Sequence, residues 1–78
     1  MGREKTAVEM QMEGLRGPIR EAMRKDSGMM RRAYSLEARI ALAEIRGRQT
    51  EVEGLLIQYS ELSTEAKRRV GGGERGNL

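Results

Sequence analysis

The stretch LEARIALAEIRGRQTEVEGLLIQYSELSTEAKRRV, residues 36–70, decides the fold. At its start, apolar side chains fall on two sides of a helix. Met29, Ala33, Leu36, Ile40 and Ala43 recur at spacings of four and three, which puts them on one stripe. Tyr34, Ala38, Ala41, Leu42 and Ile45 form a second stripe on a different side. The first stripe stops at Gly47. The second continues through Val52, Leu55, Leu56, Tyr59, Leu62 and Ala66. A helix with two apolar faces needs two things to bury them against.

The segment before this stretch supplies the first. Thr6-Ala7-Val8-Glu9 reads as a capping box, with the Thr hydroxyl taking a free helix N–H and Glu9 reaching back. Val8, Met12, Leu15, Ile19 and Met23 then follow at spacings of four and three. Pro18 lacks an N–H, so a kink is predicted there; the stripe keeps its phase across it, which argues against a break. Asp26-Ser27-Gly28 suits a helix–helix turn, with Gly28 at positive φ.

A helix over residues 6–25 spans about 30 Å, close to the length of residues 29–47. The expectation is an αα-hairpin whose core is Val8, Met12, Leu15, Ile19, Met23, Met29, Leu36 and Ile40.

The second stripe then asks for another partner. Ile45, Val52, Tyr59 and Ala66 are seven apart, the repeat of a coiled-coil seam. The expected architecture is all-α: helix 1, a turn at 26–28, and one long helix 2 over 29–70, forming a single domain over 1–70. Residues 71–78, GGGERGNL, are expected to be a flexible tail. Self-association is assigned to Ile45, Val52, Leu55, Leu56, Tyr59, Leu62 and Ala66, in a coiled-coil-like homo-oligomer. The alternative is three short helices with a turn near Gly47, where Thr50-Glu51-Val52-Glu53 offers a second capping box.

Composition limits the chemistry. The chain has 78 residues, 35% of them charged and 3% aromatic, with no Cys and no His. Disulfides, ordinary zinc sites and imidazole catalysis are excluded. A chain this short buries little surface alone, which again points to a partner. Glu9/Glu13 and Glu61/Glu65 are i,i+4 carboxylate pairs, but nothing in the pattern builds a pocket to shift their pKa. They read as solvated helix charges. No catalytic, cofactor or metal residue is assigned. Glu37, Glu44, Glu51 and Glu65 recur in one heptad column and are candidates to steer a partner's orientation.

Net charge is +3. Residues 16–32 hold Arg16, Arg20, Arg24, Lys25, Arg31 and Arg32 against Glu21 and Asp26. Of these, Arg16, Arg20, Arg24, Arg31 and Arg32 are candidate phosphate contacts. No aromatic platform accompanies them for base stacking. Met10, Met12, Met23, Met29 and Met30 cluster around the hairpin and suit either a small core or an adaptable surface.

The expected function is that of a small non-enzymatic helical protein that self-associates and docks on a larger protein. An assembly component, a chaperone or adaptor, or a small regulator, of phage or viral origin, fits this. A basic helical nucleic-acid binder using residues 16–32 is the alternative. No apolar run reaches a membrane span, and the start lacks a signal-peptide core, so a cytoplasmic or virion-internal location is expected.

Overall fold

A computed structural model describes the backbone of residues 6–75 and the side chains through Val70. It contains three helices in antiparallel sequence: α1 Ala7–Met23, α2 Ser27–Ile45 and α3 Gln49–Arg75. The capping box at Thr6 forms as expected. Glu9 N donates to Thr6 Oγ1 and Thr6 N donates to Glu9 Oε1, both at 3.1 Å. The helix passes through Pro18 without a break. Asp26 is the N-cap of α2 and accepts from the N–H groups of Gly28 and Met29 at 2.9 and 3.1 Å. The turn therefore lies at 24–26, two residues earlier than expected. Gly28 is helical rather than at positive φ, because the Asp26 carboxylate already satisfies its N–H and starts the helix ahead of it.

The expectation of one long helix over 29–70 is overturned at Gly47. Its φ of 70° is the only positive value among the described residues. Arg48 N donates to Ala43 O at 2.9 Å, and Gly47 N donates to Glu44 O at 3.1 Å. Those two bonds are the paired closure of a Schellman motif, with glycine at the left-handed position that a Cβ disfavours. The chain turns and α3 folds back. It starts at Gln49, so Thr50 lies inside the first turn and is not its cap.

α3 supplies the second partner in cis. It packs against both α1 and α2. Antiparallel order is fixed by contacts at opposite ends. Thr6 Oγ1 reaches Glu44 Oε2 at 3.3 Å, while Arg69 near the end of α3 meets Asp26 at the start of α2.

The core joins all three helices: Met12, Ile19 and Ala22; Met29, Ala33, Ile40 and Ala43; Val52, Leu55, Tyr59, Leu62 and Ala66. Val8, Leu15, Met23, Leu36 and Leu56 pack around it, partly buried. The eight residues of the expected hairpin core all lie in or against this three-helix cluster, to which α3 contributes as well. Among the methionines, Met12 and Met29 are core residues and Met10 faces solvent.

α3 also runs into the segment expected to be the tail. Its backbone stays helical through Gly71–Gly73 to Arg75. Each glycine costs about 1 kcal/mol relative to Ala, but extending a formed helix needs no new nucleus. Residues 76–78 of that expected tail lie outside the described residues. Among the described residues no helix is long and apolar enough to cross a membrane.

Candidate interaction face

The residues singled out in the sequence divide into two groups. The first is engaged inside the fold. Tyr59 of α3 is fully buried and donates its hydroxyl to Glu37 Oε2 of α2 at 2.6 Å. Arg16 of α1 brings its Nε to 3.8 Å from the same carboxylate oxygen. That Nε is buried and makes no hydrogen bond. One polar cluster thus ties the three helices together. Desolvation first, and then the bond to Glu37, push the Tyr59 phenol up to about 12.

Three further contacts fix α3. Ser63, also buried, donates its hydroxyl to Leu15 O at 2.9 Å. At the other end, Arg32 makes a fork to both oxygens of Glu65 at 2.9 and 3.1 Å. Arg69 bridges Glu65 and Asp26. The hydrogen bond from Arg32 holds the Glu65 carboxyl below the ordinary carboxylate range.

These contacts redistribute the expected roles. Arg16 and Arg32, two of the five candidate phosphate residues, point into intrachain ion pairs. Arg20, Arg24 and Arg31 remain exposed. The heptad column of carboxylates is likewise occupied at home: Glu37 by Tyr59, Glu44 by Thr6, Glu51 by Arg48 and Glu65 by Arg32. No cluster of three metal-ligating side chains occurs among the described residues.

The self-association residues are also divided. Val52, Leu55, Tyr59, Leu62 and Ala66 are core, and Leu56 is partly buried. Ile45 alone of that set stands in solvent, at 82% exposure.

Ile45 belongs to the second group, an uncovered face. Tyr34, Ala38, Ala41, Leu42 and Ile45 are all exposed and lie on the side of α2 opposite the buried Met29, Ala33, Ile40 and Ala43. Tyr34 is 56% exposed and Leu42 48%. This is the α2 half of the second stripe, and α3 does not cover it. Periodicity had shown these residues as a stripe. It had also joined them to the α3 half, from which the turn at Gly47 separates them.

A second apolar feature is smaller. A cleft of about 440 Å³ between α1 and α3 is lined by Gln11, Leu15, Glu53, Leu56, Ile57 and Ser60. Half of those side chains are polar, and it adds one exposed large apolar residue, Ile57.

Comparison with protein-family models, curated proteins and solved structures finds no match to this chain.

Proposed function

We propose that this chain is a small non-enzymatic helical interaction module that docks on a larger protein through the outward face of α2. The observation that carries the reading is the row Tyr34, Ala38, Ala41, Leu42 and Ile45 left in water while every other long apolar stripe is covered. A contiguous apolar row with no intrachain role is the usual mark of an interaction surface. Nucleic-acid binding through residues 16–32 has less support, because two of its five arginines are held in ion pairs within the fold.

A second reading retains self-association. Ile45, Val52, Tyr59 and Ala66 keep a spacing of seven across the turn. Straightening Gly47 would join α2 and α3 into one coiled-coil-like helix, and two chains would exchange their third helices.

The test combines native mass with site-specific crosslinking in a lysate of the source cells. The expected result is a monomer in sedimentation. A photo-reactive residue at Ala38 should give a discrete protein adduct, and one at Thr64, exposed on α3, should give none. Equal labelling from both positions would contradict docking through α2. A dimer in which α3 is exchanged would favour the second reading.

A further inference from the structure

Charge on the exposed α2 face identifies the kind of partner it fits. Ser27, Arg31, Tyr34, Ala38, Ala41 and Ile45 follow one another at spacings of four and three, with Leu42 and then Arg46 alongside. No carboxylate lies in this row. The nearest acids on α2 are engaged within the fold, Glu37 with Tyr59 of α3 and Glu44 with Thr6 at the start of α1. Arg31 and Arg46 are exposed and make no ion pair among the described residues. The apolar row from Tyr34 to Ile45, about 17 Å or three helical turns, therefore has an uncompensated guanidinium beyond each end.

Shape narrows the choice further. The middle of the row is Ala38 and Ala41, and the bulky residues Tyr34, Leu42 and Ile45 stand around them. Small residues at the centre leave a shallow trough into which the side-chain ridge of another helix can settle.

We propose that this face receives the apolar side of an acidic amphipathic helix from a partner protein, whose carboxylates meet Arg31 and Arg46. The inference rests on the docking reading above and gives it a chemistry. A second copy of this chain fits less well. Antiparallel pairing about Ala38 and Ala41 brings Arg31 near Arg46 of the other copy, and parallel pairing sets like beside like. A lipid surface rewards protruding apolar residues at the centre of the face, where this one has alanines. Nucleic acid has no use for the apolar row, and two arginines release few counterions.

The experiment selects binders to the immobilised full-length chain from a displayed library of helix-forming peptides. Enriched peptides should carry apolar residues at i, i+3 or i+4, and i+7, flanked by Asp or Glu. Ala38→Glu, on an exposed helical position, should weaken them at least tenfold while helicity and mass stay unchanged. The double variant Arg31→Glu/Arg46→Glu should instead enrich peptides flanked by Lys or Arg. Apolar peptides without acidic flanks, or binding indifferent to the double variant, would overturn the charge assignment and leave docking through α2 standing. No enrichment, or enrichment insensitive to Ala38→Glu, would overturn both. Two parallel arms complete the test: sedimentation of the free chain, and binding to phosphatidylserine vesicles. A dimer or a vesicle complex that Ala38→Glu dissolves would overturn the proposal in favour of a second copy or a lipid surface.

Discussion

Leu55→Glu is expected to unfold the chain. Leu55 is 6% exposed and sits in the core between α3 and the other two helices. A glutamate there would enter an apolar cluster, and burying a charge in one costs several kcal/mol even after the group neutralises. A folded domain of this size has roughly 4–12 kcal/mol in total. Leu56→Glu, one residue on, should be much milder, because Leu56 is only partly buried at the edge of the cleft between α1 and α3. Far-ultraviolet circular dichroism with urea titration separates the two. A coiled-coil oligomer along Ile45–Ala66 makes the opposite forecast: both variants would dissociate it, and both chains would lose mass together.

Tyr59→Ala should have the next largest effect. Its ring is fully buried in the three-helix core, and removing such a ring costs about 3–5 kcal/mol. Tyr59→Phe isolates the hydroxyl. It keeps the ring but leaves Glu37 without its 2.6 Å donor beside Arg16, at a cost of about 1–3 kcal/mol.

The same hydroxyl gives the fold an alkaline limit. The folded Tyr59 phenol is raised to about 12, above the unfolded value of about 10. A group raised on folding stabilises fully below its unfolded pKa and loses that contribution as pH climbs through the folded value. Stability should therefore fall between about pH 10 and 12. Urea midpoints measured across that range should decline in the parent chain and decline less in Tyr59→Phe. Equal slopes in the two would show that the phenol is not the group responsible.

How much of this was legible in the sequence depends on which forces act locally. The Thr6 capping box and the phase of the α1 stripe are set by residues within one or two turns of each other and read correctly as helix signals; the turn beside Asp26 was read two residues late, because Asp26 caps α2 instead of ending the helix before it. At Gly47 the preferred continuous helix was wrong, and the alternative of three helices with a turn near Gly47 was the one observed. A spacing of seven through Ile45, Val52, Tyr59 and Ala66 suits a continuous helix, yet it is equally consistent with two helices whose phases coincide across a turn. The deciding bonds, Arg48 N to Ala43 O and Gly47 N to Glu44 O, involve backbone groups that carry no side-chain signature apart from the glycine itself.

The exposed face of α2 was half legible. Tyr34, Ala38, Ala41, Leu42 and Ile45 stand out by periodicity, but which of two stripes stays wet depends on where α3 goes. The Arg16–Glu37–Tyr59 cluster was not legible at all. Its members are about twenty residues apart, and each has an ordinary surface reading until the helices are assembled.

The chain has no native cysteine, so two introduced thiols can be labelled cleanly. Spin labels at Ser27→Cys and Lys67→Cys, both exposed, report whether α3 returns along α2 within one molecule. Diluting labelled chain into excess unlabelled chain removes distances between molecules. With helix axes roughly 10 Å apart in a bundle, the labels should lie within about 25 Å. A distance near 60 Å, the span of forty residues of unbroken helix at about 1.5 Å each, would contradict the turn at Gly47 and the three-helix bundle with it.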